Sequence, residues 1–446
     1  MKVFLKTYGC QMNERDSEAL AGMLVEAGHS IVENEEEADV LLFNTCSVRE
    51  QAERKAKGKI GYMKKLKARR PDLVIGALGC MAQRLGDQLL EELPHLDFVL
   101  GTGQLHTLVP LIESIRADRR RVASTRESAD VLTSMGSHYR PGSGAEQVFA
   151  QIAITRGCNR FCSYCIVPYV RGREVSRGRE DVLAEARELA ASGAKEILLL
   201  GQNVAAYGLG GNINPPPPDY SPFADLLEEL DRIPELLRIR FTSPYVSYFN
   251  DRLIGAIAAS RTVCHNIHLP LQSGSDRVLR EMNRQYTAAS YYEVVEKLRA
   301  AMPDVTFSTD VIVGFPGETA EDFDMTRELM NRVGFDNAFI FKYSPRPGTK
   351  SSLREDSVPR EVKEERNQIL LEDLRKRVER SLAAQVGTVQ EVLVEGVSPR
   401  NPARWCGRTG TNRLIHFEPC DGLAPGMLRR VQVERAGSVS LFGRLL

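Results

Sequence analysis

Apolar and polar positions change in blocks along the first 118 residues. The apolar run KVFLKTYG reads as a strand, and ERDSEALAGMLVEAG, with apolar positions three and four apart, as an amphipathic helix. DVLLFNTC is a second strand, followed by a charged helix from about Arg49 to Arg70. LVIGALGC is a third strand, QRLGDQLLEEL a helix and FVLGTG a further strand. Strands alternating with helices predict a parallel sheet covered on its faces. Residues 119–147, RRRVASTRESADVLTSMGSHYRPGSGAEQ, are polar and rich in Ser, Gly and Arg, so a linker is expected there. From 148 to 378 the alternation resumes with the strands VFAQIAIT, KEILLLG, LRIRFTS, CHNIHLP, VTFSTDVIVG and NAFIFKY, separated by helical segments such as YYEVVEKLRAAM. Six repeats predict a partial (β/α)6 barrel, whose reactive groups gather at the C-terminal ends of the strands. GGNINPPPP, after the second of these strands, is expected to be an exposed insertion with polyproline character. From 379 to 446 helical periodicity vanishes, and VQEVLVEGV, RLIHFEP, MLRRVQVERAG and VSLFGRLL predict a small β-barrel. The expected class is α/β: an N-terminal parallel α/β domain at 1–118, a linker at 119–147, a partial barrel at 148–378 and a small β-barrel at 379–446.

Composition alters this picture little. Lys and Arg together equal Asp and Glu together, 59 each, so net charge excludes no class of partner. The C-terminal barrel alone is basic, with nine arginines from Arg380 to Arg444 against five acidic residues, which suits nucleic acid. A barrel of the oligonucleotide-binding kind fits that charge. No run of about 18 apolar residues exists, so no membrane span is expected. The start, MKVFLKTYGCQMN, has neither the core nor the cleavage site of a secretory signal, and the expected location is cytoplasmic. Nine cysteines, an odd count without an export signal, point to metal or catalytic use before disulfides.

Three of them, Cys158, Cys162 and Cys165, stand in CNRFCSYC directly after the first strand of the barrel series. Soft thiolates select zinc or iron–sulfur clusters, and each iron of a four-iron cubane takes one external ligand. C-x3-C-x2-C lets one tight loop reach three corners. The fourth iron is then open to a small molecule bearing an amine and a carboxylate. S-adenosylmethionine (SAM) ends in that group, and one electron from such a cluster cleaves it to a 5′-deoxyadenosyl radical. The alternatives are a zinc site with its fourth ligand elsewhere, or three buried thiols. Tyr164 reads equally as a platform for adenine or as a core aromatic. Cys10, Cys46 and Cys80 form a second triplet, each at the end of a predicted strand of the N-terminal sheet. Parallel sheets bind ligands at that edge, so the three thiols can converge on a second cluster with an open iron. The alternative is three small buried apolar residues. Cys264, Cys406 and Cys420 match no motif, and the seven histidines show no ligand spacing.

KTYGCQMNERDSE, NTCSVREQAERKA, GALGCMAQ, GCNRFCSYCIVPYVRGREVSR, LLGQNVAAYG, HLPLQSGSDRVLREMNRQYT, TDVIVGFPGET and FKYSPRPGT together resemble the radical-SAM methylthiotransferases over essentially the whole chain. GCQMN and NTCSVRE are closest to the MiaB branch, which acts on tRNA, and the C-terminal region resembles the TRAM domain. The resemblance implies two [4Fe–4S] clusters. The one on Cys158, Cys162 and Cys165 would cleave SAM, and the one on Cys10, Cys46 and Cys80 would present the sulfur. It implies methylthiolation of C2 of N6-isopentenyladenosine at position 37, in the anticodon stem-loop, with SAM as methyl donor and radical source. An electron donor such as a flavodoxin or ferredoxin and a sulfur or cluster-assembly donor would be partners. Gln202 and Asn203 would contact the methionine end of SAM, and Ser273 and Gly314 its ribose and adenine; each reads equally as a turn residue. The basic stretches Arg156 to Arg179 and Lys55 to Arg70 read as solvated faces or as phosphate contacts. Competing readings are a methylthiotransferase for another tRNA adenosine or a ribosomal-protein aspartate, and a non-catalytic metal-containing RNA-binding protein.

Overall fold

The computed structural model describes residues 1–48, 50–128, 136, 138, 148–210 and 215–446. Most of the expected linker, Arg49, and residues 211–214 of the proline-rich insertion lie outside the described residues. Strands β1 (Lys2–Thr7), β2 (Ser30–Ile31), β3 (Val40–Thr45), β4 (Val74–Gly79), β5 (Phe98–Gly101) and β6 (Val122–Ser124) form one parallel sheet in the order β2-β1-β3-β4-β5-β6. β3 and β4 are buried at every residue, as strands covered on both faces must be. Leu41, Phe43, Ile75 and Ala77 fill one core, and Val40, Leu42, Val74 and Leu78 the other. β6 lies within the stretch expected as linker; it is too short and too polar to leave a period in the sequence. Farther along, His138 bonds Glu18 at 2.7 Å and Glu185 at 2.7 Å, tying helix Gln11–Glu26 to helix Arg179–Ala191.

The central region holds β7 (Phe149–Ala153), β8 (Thr155–Arg156), β9 (Val175–Ser176), β10 (Glu196–Leu200), β11 (Arg238–Phe241), β12 (Asn266–His268), β13 (Thr306–Val313) and β14 (Asn337–Lys342). β11-β10-β7 and β12-β13-β14 are two parallel three-stranded sheets, joined by one parallel bridge between Ile239 and Val263. These are the six expected repeats. One apolar core runs through both sheets and the helices packed on them. β8 and β9 pair antiparallel and frame the cysteine loop between them. Helix Arg360–Ala383 passes through the boundary expected at 378/379.

β15 (Val389–Ser398), β16 (Asn401–Arg408), β17 (Leu414–Phe417), β18 (Leu428–Ala436) and β19 (Leu441–Leu445) close into a barrel in the order β15-β16-β17-β19-β18. β16, NPARWCGR, was not foreseen. It carries a proline and two arginines and no apolar alternation, yet it pairs on both sides. The barrel core includes Val392, Val394, Ile415, Phe417 and Val431, and takes in Leu382 of the preceding helix.

The turn between β16 and β17 reaches the N-terminal ends of the six-stranded barrel. Arg240 donates to the carbonyls of Thr409 at 2.8 Å and Gly410 at 3.1 Å while its Nε bonds Glu196 at 2.9 Å. Arg238 donates to the carbonyl of Arg408, Thr306 Oγ1 to that of Thr411, and Arg413 pairs with Asp336. Glu196, Arg238 and Thr306 each begin a strand.

Candidate active site

Cys10, Cys46 and Cys80 directly follow or closely trail β1, β3 and β4, which are neighbours in the sheet, so the parallel order brings all three to one edge. Cys10 is the N-cap of helix Gln11–Glu26. Gly9 before it has φ +136°, and a Cβ there would stand 2.6 Å from Cys46 Cβ and 3.2 Å from its Sγ, so only glycine lets the turn close over Cys46. Asn13, one turn into the helix, is fully buried. Its Nδ2 donates to the carbonyls of Tyr8 and Thr45, and its Oδ1 lies 3.7 Å from Cys10 Sγ and 4.0 Å from Cys80 Sγ. The same oxygen accepts from Arg171 Nη2 at 2.8 Å, and that guanidinium also bonds Asp16 at 2.8 Å. Arg171 belongs to the cysteine loop of the barrel, so a buried cation crosses from one cysteine site to the other. The Cys10 thiol is drawn down to about 6, first by a hydrogen bond with Cys46 and then, against burial, by Arg171. Burial raises Cys80.

The second triplet lies in the loop from β8 to β9. Gly157, φ +75°, turns that loop tightly: a Cβ would meet the Arg173 carbonyl at 2.1 Å, and Cys158 N–H bonds the Gly172 carbonyl at 3.1 Å. Ser163 is held at both backbone groups, by the Met282 carbonyl and the Ser351 N–H, and Asn283 donates to the Phe161 carbonyl. Burial pushes the Cys158 and Cys165 thiols up to about 12. To act as ligands, these thiols would need the charge of a metal to deprotonate them. Ile166 and Val170 of the same loop pack on Cys80, so the loop that carries one triplet touches a member of the other. Among the described residues no three His, Cys, Asp or Glu side chains are arranged to hold a single metal ion.

The other expected residues fall at the mouth of the barrel with differing freedom. Gln202 Oε1 accepts the Gly157 N–H and so braces the cysteine loop. Asn203 Oδ1 accepts the Tyr245 N–H at 3.0 Å, while its Nδ2 is buried without a partner among the described residues. Ser273 is fully buried and its hydroxyl is engaged with Thr326 and the Ser275 N–H. Gly314, φ +70°, gives its N–H to Glu318 at 2.8 Å and packs on the Lys363 stem. Tyr164 packs with Val278, Met282, Phe315 and Tyr343 as a core aromatic, its hydroxyl accepting from Arg284. Arg284 itself escaped the sequence reading. Its guanidinium carbon lies 4.9 Å from the ring centre of Tyr245 and 5.8 Å from that of Tyr286, near Cys162, and its Nε is buried without a partner among the described residues. Only its neighbourhood to the QSGS segment hinted at it.

The basic stretches are largely committed inside the protein. Arg171 pairs with Asp16, Arg177 with Glu185, Arg179 with Glu229, and Arg160 stacks on Tyr245 and Tyr248 at 5.0 Å each. On the N-terminal helices Lys57, Lys59, Lys67 and Arg70 have acidic partners. In the small barrel Arg404 and Arg435 lie over Phe442, at 5.3 and 3.9 Å, and His416 stacks on that ring.

The radical SAM superfamily model matches residues 152–330, and with the three-cysteine loop on a six-strand partial barrel it makes this a radical-SAM enzyme. The uncharacterized protein family UPF0004 matches residues 2–101 and the TRAM domain 383–446. The chain is 45% identical to a protein of Opitutus terrae over 100% of this chain and 97% of the relative, and 43% identical to one of Akkermansia muciniphila over 99% and 98%. Both are named tRNA-2-methylthio-N(6)-dimethylallyladenosine synthase. The chain belongs to that family. Its fold is similar to that of the radical S-adenosylmethionine methyltransferase TsrM from Kitasatospora setae, with a TM-score of 0.59 at 14% identity over 79% of this chain and 75% of that one.

Proposed function

We propose that this enzyme methylthiolates C2 of N6-isopentenyladenosine at position 37 of tRNA, in the cytoplasm, with SAM as methyl donor and radical source. The observation that carries the reading is the pair of three-thiol groups, each one ligand short of closing a cubane, with the loop of one packed on Cys80 of the other. SAM and [4Fe–4S] clusters are the cofactors. When bound, the clusters supply an electron to SAM and an open iron for the sulfur to be transferred. Cys158, Cys162 and Cys165 hold the first, in a loop braced by Gln202. Arg284 offers a buried cation to the SAM carboxylate, and Asn203 Nδ2 a free donor beside it. Ser273 and Gly314 shape the neighbouring wall. Cys10, Cys46 and Cys80 hold the second cluster, under the fixed charge of Arg171. The electron is drawn from a flavodoxin or ferredoxin, and sulfur from a separate sulfur or cluster-assembly donor. No helix among the described residues is long and apolar enough to cross a membrane.

Anaerobic turnover with SAM, a reductant and isopentenylated tRNA, followed by mass analysis of the nucleosides, tests the reading. The expected product is the base heavier by one methylthio group in place of hydrogen. Its absence with both clusters loaded would sink the assignment.

The small barrel positions the tRNA through its backbone, using the face where Arg404 and Arg435 flank Phe442. Phosphate contacts orient a substrate without choosing the base. Arg404→Ala with Arg435→Ala is expected to weaken tRNA binding and to reduce the slope of log affinity against log salt by about two, one per lost contact. An unchanged slope in filter binding would place the RNA elsewhere.

A further inference from the structure

A cavity of about 210 Å³ opens beside the N-terminal cysteine site, lined by Gln83, Thr102, Glu127, Arg156, Arg171 and Arg173 among others. It is smaller than the roughly 300–1,000 Å³ of sites for drug-sized ligands. Behind it lies a pocket of about 20 Å³, room for about one water, whose lining includes Met12, Asp16, Thr155, Arg156 and Arg171. Arg156 and Arg171 line both. Arg171 is hydrogen-bonded to Asn13 and Asp16, whereas Arg156 only feels the charges of Asp16 and Glu127 from a distance. Only 8% of its surface is exposed, and its guanidinium makes no hydrogen bond or ion pair among the described residues. In the inner pocket the Thr155 hydroxyl is buried without a partner among the described residues, as is Gln83 Oε1 at the outer one. A guanidinium that faces both cavities without a hydrogen-bonded partner among the described residues, beside a buried hydroxyl left open, suits a small anion.

The reaction says what that anion is. Each turnover replaces one hydrogen of the base by a methylthio group, and SAM supplies only the methyl. One sulfur atom must therefore enter the protein per product. We propose that the two neighbouring cavities, which share Arg156 and Arg171 in their lining, are the entry site for hydrosulfide, held by Arg156 and Thr155 on its way to Cys10, Cys46 and Cys80. Arg171, which lines both cavities and bonds beside Cys10 and Cys80, forms the wall between entry and destination. Glu127 at the outer mouth opposes the anion and sets the penalty for entering. The inference rests on the assignment of Cys10, Cys46 and Cys80 as the sulfur-presenting site.

The test uses the full, iron-loaded enzyme with sodium sulfide as the sulfur source. In Arg156→Gln the sulfide concentration for half-maximal product should rise about tenfold, the loss of one charge-assisted hydrogen bond. Arg156→Lys should fall between, and the rate at saturating sulfide should stay within about twofold. Bromide, an inert anion, should compete with sulfide in the native protein and lose that effect in Arg156→Gln. Glu127→Gln should lower the half-saturating concentration, and this variant serves if Arg156→Gln does not fold or load iron. An unchanged sulfide response in the folded variant, or with Glu127→Gln, overturns the proposal. So does a loss of tRNA affinity in its place, which would assign the cavity to a backbone phosphate. Full product from Cys46→Ala would instead overturn the cluster assignment beneath it.

Discussion

Protein in which Cys158, Cys162 and Cys165 are all replaced by Ala is expected to bind about four irons per chain in place of about eight, and to form no 5′-deoxyadenosine. The loop that carries them is held by backbone bonds to Gly172, Met282 and Ser351, none of which involves a thiol, so the fold has reason to survive the change. What is lost is the set of ligands. A single replacement would leave two thiols and let water or a buffer ligand complete a damaged cluster, which is why all three are changed. Residual SAM-dependent 5′-deoxyadenosine from the triple variant would mean that the radical arises elsewhere.

Cys46→Ala should do the opposite. Methylthio product is expected to fall at least a hundredfold while reductive SAM cleavage stays within a few-fold. Cys46 directly follows β3, the strand between β1 and β4, and sits beneath Gly9, so it would be the middle ligand of the proposed site. Its removal costs the fold about 1 kcal/mol, the ordinary loss for a small buried group. Undiminished product by mass analysis of the tRNA would show that Cys46 is only a buried thiol.

That Cys10, Cys46 and Cys80 come to one sheet edge, and that Cys158, Cys162 and Cys165 share one loop after a strand, could be read from sequence, because strands leave a local apolar signature. The same holds for the six barrel repeats. What could not be read depends on partners far apart in the chain. Arg171 meets Asn13 and Asp16 across more than 150 positions. In sequence, Arg156, Arg171 and Arg177 look like one basic stretch suited to phosphate, and only the fold shows them turned inward. Arg284 is equally silent, since its tyrosine neighbours come from three separate loops. β16 was missed because barrel closure, not its own composition, makes it a strand. Nine arginines against five acids described the small barrel as an RNA module but could not show that Arg408 and Arg413 are spent on Glu395 and Asp336.

The turn at 409–413 gives that module a second duty, as a partial stopper of the radical chamber. Partial barrels are open where strands are missing, and a primary carbon radical reacts with whatever diffuses in. Here backbone carbonyls seated on Arg238 and Arg240 cover part of the floor, at the N-terminal ends of the strands. Evolutionary exchange of the RNA-binding module would therefore also exchange this part of the floor of the chamber. A foreign barrel with a shorter turn could bind tRNA well and still let SAM be spent without product.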